Sequence, residues 1–171
     1  MTVSDHILKF LKSKGVSHVF GITGGAIAFT IDAFTRTKGI KFIPVAHEQA
    51  AAMMAESYAR HKGLGCAMAT SGPGATNLIT GIACAYFDSI PVIYITGNVN
   101  PEEMAKDGVR QVGFQETDIV NMVKPITKWS YQLPAPYRLR RALEKAYHKA
   151  TEGRMGPVLI DLPMNMQKEN V

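Results

Sequence analysis

The chain has 171 residues and a formal charge of +5 at pH 7. That length suits one compact domain, or two small ones, with a sizeable core. The balance of 46% hydrophobic to 19% charged residues excludes intrinsic disorder.

No apolar run approaches the ~18 residues of a membrane-spanning helix. The start, Met1-Thr2-Val3-Ser4-Asp5-His6, lacks the basic-then-apolar layout of a secretory leader. Cys66 and Cys84 stand in apolar segments without metal-ligand spacing. That favours a reducing compartment over a disulfide framework or a zinc site. The expectation is a soluble, cytoplasmic, globular protein with no membrane partner.

In chain order, a helix is predicted at about residues 4–14, with Ile7, Leu8 and Leu11 as its apolar stripe and Gly15 as its C-cap. A strand at 18–22, a helix at 25–37 and a strand at 41–46 follow. Next come a helix at 48–61, a strand at 66–70, a helix at 73–87 and a strand at 91–96. A polar stretch leads to a short helix at 117–122, a strand at 127–132, a helix at 136–152 and a last strand at 157–162.

Arg138, Arg140, Arg141 and Lys145 cluster on the helix at 136–152. No aromatic residues interleave with them, so they read as a solvated face and not as a nucleic-acid surface. Residues 164–171 are polar and read as a linker or a cut end, which leaves 1–163 as the domain.

Val92-Ile93-Tyr94-Ile95 and Val158-Leu159-Ile160 are apolar on both strand faces. Such strands belong in parallel sheets covered by helices on each side. Right-handed crossovers then predict a single doubly wound, mainly parallel α/β sheet of about six strands. Ligands of such sheets sit beyond the carboxyl ends of the strands.

The first strand ends in Gly21-Ile22-Thr23-Gly24-Gly25-Ala26, a glycine turn that is neither a dinucleotide fingerprint nor a P-loop. The second ends in Ala46-His47-Glu48-Gln49 and puts a carboxylate at the mouth of the expected crevice. Glu48 reads either as a helix-start charge favoured by the macrodipole or as a proton-exchanging acid. Ala51, Ala52, Ala55 and Ala59 form a small-residue face on its helix, which would allow another helix or domain to approach closely and desolvate Glu48, and which is a candidate contact for self-association. The third strand ends in Thr70-Ser71-Gly72-Pro73-Gly74-Ala75-Thr76-Asn77, where physics alone suggests an anion at a helix start. The long polar connection 98–116 has the character of a functional loop.

Taken in order, these motifs resemble the pyrimidine-binding domain of thiamine-diphosphate-dependent enzymes, most of all the acetolactate synthase large-subunit group. The resemblance rests on Val19-Phe20-Gly21, Gly24-Gly25-Ala26, His47-Glu48-Gln49, Tyr58-Ala59-Arg60 and the 70–77 segment. It continues through Asp88-Ser89-Ile90-Pro91, Thr96-Gly97, Phe114-Gln115-Glu116, Asp118-Ile119-Val120 and Gly156-Pro157-Val158. The turn Ile22-Thr23-Gly24-Gly25 departs from the family's frequent Tyr-Pro-Gly-Gly, and residues 106–113 also depart from the synthase pattern.

The resemblance implies that Glu48 hydrogen-bonds the aminopyrimidine N1′ and so promotes loss of the thiazolium C2 proton, which starts attack on a 2-keto acid. It implies that Gln115 reaches the reaction centre. It places Ile22, Thr23, Gly24, Thr70, Pro73 and Asn77 around the pyrimidine, and moves the diphosphate away from residues 72–74. It implies a second domain, in this or another chain, that holds diphosphate and Mg²⁺ through a Gly-Asp-Gly motif. Asp107-Gly108 receives no metal role. FAD, held by a central domain in the synthases, would belong to a longer protein. A chain of this kind alone would be inactive and would assemble as a homodimer or higher homo-oligomer. Two other readings are the pyrimidine-binding subunit of a split 2-keto-acid decarboxylase and a non-catalytic module that retains the fold.

Overall fold

Along the central strands, successive side chains enter two different cores. Cys66, Met68, Ile93, Ile95, Val158 and Ile160 face one, and Ala67, Ala69, Val92, Tyr94 and Leu159 face the other. This alternation is what buries a sheet on both sides. The computed structural model describes residues 1–106 and 108–171. Asp107, and with it the Asp107-Gly108 pair as a unit, lies outside the described residues.

Among the described residues the strands are β1 (His18–Gly21), β2 (Lys41–Pro44), β3 (Gly65–Ala69), β4 (Val92–Asn98), β5 (Trp129–Gln132) and β6 (Val158–Pro163). They form one sheet in the order β2-β1-β3-β4-β6-β5, and every neighbouring pair is parallel. The doubly wound α/β expectation therefore holds.

The α-helices are α1 (Val3–Ser13), α2 (Ala28–Asp32), α3 (Glu48–Lys62), α4 (Pro73–Thr76), α5 (Ile79–Phe87), α6 (Ile119–Val123) and α7 (Leu139–Thr151). Residues of α1 and α7 fill the first core, and those of α3, α5 and α6 fill the second. Thr2 starts α1 with a reciprocal capping box to Asp5. No described helix is long and apolar enough to cross a membrane.

Two predicted helices are interrupted. The 25–37 segment is a 3-10 turn (Gly25–Ile27), then α2, then a second 3-10 turn (Ala33–Thr35). Neither of its first two pieces has a side-chain cap. The 73–87 segment divides into α4 and α5, where the Leu78 N–H bonds back to the Ala75 carbonyl and tightens the turn.

Residues 164–171, expected as a linker, pack onto the domain. Met164–Lys168 form a 3-10 helix, and Gln167 is fully buried. Its Oε1 accepts from the Thr30 hydroxyl at 3.0 Å, and its amide donates to the Ala26 carbonyl at 2.6 Å. Ser4 Oγ donates to the Gln167 carbonyl at 2.8 Å.

The small-residue face of α3 is also covered within the chain. Ala51, Ala52, Ala55 and Ala59 are buried against the sheet and α5, so the helix they admit belongs to the same chain and they are not a self-association contact. A Cβ on Gly81 of α5 would overlap the Ala52 methyl, which shows how closely the two helices approach. The exposed apolar side chains on this pair of helices are Met53, Met54, Tyr86 and Phe87.

Candidate functional site

The strand order reverses between β1 and β3: β1 leads outward to β2, whereas β3 leads the other way to β4. Connections diverge there and open a crevice at the carboxyl ends. The turn after β1, the start of α3 and the turn after β3 all meet in it.

Glu48 begins α3, and its side chain is 7% exposed. His47 caps the helix by accepting from the Gln49 N–H at 3.1 Å. Asn77 Nδ2 donates to Glu48 Oε2 at 3.0 Å. Among the described residues Glu48 Oε1 has no hydrogen-bond partner. It lies 3.2 Å from where a Cβ on Gly74 would stand.

Thr70 sits between the two turns. Its Oγ1 accepts from the Ala26 N–H at 3.3 Å. A Cβ on Gly24 would come within 2.5 Å of Thr70 Cβ, so a glycine is required for the turns to meet. Pro73 occupies the first turn of α4 and is exposed. Ile22 is half-buried and Thr23 exposed in the first turn. No side-chain hydrogen bond joins Thr23 to the rest of the site among the described residues. The four-residue α4 offers little of the dipole that an anion site needs.

Gln115 approaches from the other side. Among the described residues it is one of two non-glycine residues with positive φ, at 57°. Gly72, at φ 61°, lies beneath it, and a Cβ there would stand 2.7 Å from Gln115 Cβ. Backbone held in this region commonly marks a functional position. Gln115 and Phe114 line a cavity with Gly25, Ala26, Thr70 and Ser71. Glu48 does not line this cavity.

The sequence-predicted residues Glu48, Gly24, Thr70, Asn77 and Gln115 thus converge. A carboxylate with one oxygen held and the other open can give and take a proton at a fixed point. The open Glu48 Oε1 fits a ring nitrogen, and Gly24 and Gly74 let the two turns close tightly around Thr70 beside it. Among the described residues no group of three or more His, Cys, Asp or Glu side chains is placed to hold a metal ion.

Sequence reasoning missed Asp161, a fully buried acid near the end of β6. The signal was present, since Asp161 is the one charged residue in the run from Val158 to Leu162. It also missed that Trp129 and Tyr131, stacked at 5.0 Å, line a cavity with Arg138, Arg141 and Lys145. Those aromatics come from β5, a different element, and not from the basic helix itself.

A parallel α/β domain with a buried acid at its switch-point crevice has the layout of a ligand-binding domain. The chain belongs to the thiamine pyrophosphate enzyme N-terminal TPP binding domain family, which its residues 1–122 match. It is 44% identical over 164 residues to the acetolactate synthase large subunit of Lactococcus lactis, covering 95% of this chain. It is 41% identical over 164 residues to the acetolactate synthase isozyme 3 large subunit of Escherichia coli, covering 95% of this chain. It is 41% identical over 167 residues to the chloroplastic acetolactate synthase of Arabidopsis thaliana, covering 97% of this chain. The chain spans only 28%, 28% and 24% of the lengths of these three relatives.

Proposed function

We propose that this chain is the cofactor-activating N-terminal part of a thiamine-diphosphate-dependent transferase of the acetolactate synthase kind, acting on 2-keto acids in the cytoplasm. The observation that carries the reading is Glu48: one carboxylate oxygen is fixed by Asn77, and the other is open in the switch-point crevice. Thiamine diphosphate, when bound, supplies the electron sink for decarboxylation of the keto acid.

Glu48 holds or moves a proton at Oε1 against a ring nitrogen. Asn77 keeps the carboxylate oriented. Gly24, Thr70 and Pro73 shape the slot for the ring, with Ile22 and Thr23 at its edge. Gln115, which lines a cavity with Thr70, orients the 2-keto acid by its amide.

The diphosphate and its Mg²⁺ fall to a second domain of the same or another chain. FAD, where used, belongs to a further domain. Self-association, as a dimer or larger assembly, would use the exposed Met53, Met54, Tyr86 and Phe87 of α3 and α5.

A complete protein with this chain at its start is assayed with pyruvate, and residues 1–171 are assayed beside it. The complete protein should release CO₂ and form acetolactate, and the isolated chain should do neither. Mg²⁺-dependent turnover by residues 1–171 alone would overturn the reading. CO₂ release without acetolactate, appearing only when residues 1–171 are joined by a separate diphosphate-binding chain, would replace it by the split decarboxylase.

A further inference from the structure

Asp161 is fully buried and faces no cation among the described residues. Three donors converge on it: Thr96 Oγ1 at 2.7 Å, Asn98 Nδ2 at 2.8 Å and Gln132 Nε2 at 2.8 Å. Sheet register explains the convergence. Thr96 of β4 and Gln132 of β5 are the direct partners of Asp161 on its two sides. Asn98 lies two residues past Thr96 and so points to the same face.

Burial pushes the Asp161 carboxyl above the ordinary aspartate range, and the bonds from Gln132, Asn98 and Thr96 act against that shift. A buried acid without a counter-ion is expensive in a structural core. What it does here is visible at Asn98.

The carboxylate takes one Asn98 amide hydrogen. The other goes to the Thr117 carbonyl at 3.0 Å, while Asn98 Oδ1 accepts from the Val99 N–H at 2.9 Å. Asn98 therefore clasps the first and last residues of the 99–117 segment. Inside that segment the Glu116 carboxylate gathers the N–H groups of Ala105 at 2.6 Å and Val112 at 3.0 Å. The Gly113 N–H bonds to the Glu103 carbonyl at 2.8 Å. This segment presents Phe114 and Gln115 to the cavity, the latter in its positive-φ conformation.

We propose that Asp161 is a positioning residue: through Asn98 it clamps both ends of the 99–117 segment and holds Gln115 at the wall of the site. The positioning itself rests on the geometry. Its value for turnover rests on the proposed function.

The test compares Asn98→Ala, Asp161→Ala and Asp161→Asn in residues 1–171 and in the complete protein. In Asn98→Ala, the amides of Ala105, Gly113 and Glu116 should exchange roughly tenfold faster, and the Gln115 amide resonance should move. Amides of Cys66 and Met68 in β3 should keep their protection. Asp161→Asn should restore near-native exchange, because its oxygen still accepts from Asn98 and Gln132 while its amide donates to a rotated Thr96 hydroxyl. If Asp161→Ala fails to fold, Asn98→Ala still decides the matter.

Unchanged exchange in Asn98→Ala overturns the proposal, and so does a uniform rise that includes β3. In the complete protein, kcat for the keto acid should fall about tenfold to a hundredfold in Asn98→Ala. A loosened segment with unchanged turnover would leave the clamp standing and refute the role given to Gln115.

Discussion

Asn77 and Glu48 lie 29 positions apart in the chain, yet the amide of one holds the carboxylate of the other at 3.0 Å. The bond joins the end of α4 to the first residue of α3. Helices that follow different strands thereby agree on where one carboxylate oxygen points. Glu48→Gln keeps the shape and the bond but removes the exchangeable proton. Positioned proton transfer contributes ~10²–10⁴-fold to rate. C2 hydrogen–deuterium exchange of cofactor bound to the complete protein should slow by that order, with the melting temperature little changed. A helix-start charge alone would give the reverse, a loss of about 0.3–1 kcal/mol in stability and unaltered exchange.

Gly24→Ala should weaken cofactor binding without unfolding the chain. The new methyl would lie 2.5 Å from Thr70 Cβ, so the two turns must separate. Overpacking of this kind costs about 1–3 kcal/mol. If the strain is relieved when the site is empty, it appears as roughly tenfold or greater loss of affinity. Titration of the complete protein with thiamine diphosphate, alongside circular dichroism, reads both quantities.

Gly81→Ala should affect stability first. Its methyl would overlap that of Ala52 where α5 crosses α3. A loss of about 1–3 kcal/mol is expected, which lowers the melting temperature by ~2–4 °C per kcal/mol for a chain of this size. Ala52→Gly in the same chain should recover most of it.

The 99–117 segment should loosen in acid. The backbone N–H of Val112 leads, with those of Ala105 and Gly113, in holding the Glu116 carboxyl below the ordinary glutamate range, against a smaller push from burial. A depressed folded-state pKa means that the stabilisation is complete above about pH 4.3 and is lost as pH falls through the lower folded value. Amide shifts of Ala105 and Val112 should follow that titration, and Glu116→Gln should abolish it.

The fold was legible in the sequence wherever burial alone decides it. Val92 to Ile95 and Val158 to Ile160 are apolar on both faces, and only a sheet covered on both sides accommodates them. Glu48, Thr70 and Asn77 were legible as strand-end residues and gained roles from an ordered set of motifs. The Asp161 clasp was not legible as a network, because it depends on β5 and β6 pairing so that Gln132 falls beside Asp161. That register is a tertiary fact. The alanine face of α3 was misread for a related reason: small residues announce close packing but not whether the neighbour lies in the same chain.

Gln167 gives the domain a mechanical boundary that differs from its sequence boundary. Its amide grips the Ala26 carbonyl, and the Ala26 N–H reaches the Thr70 hydroxyl, so a residue past the last strand is two hydrogen bonds from the turn after β3. Ending the chain at Pro163 would leave the Ser4 and Thr30 hydroxyls with only each other and release the Ala26 carbonyl next to the turn that contains Gly24. The smallest unit that can be dissected out with its crevice intact therefore includes the final 3-10 turn.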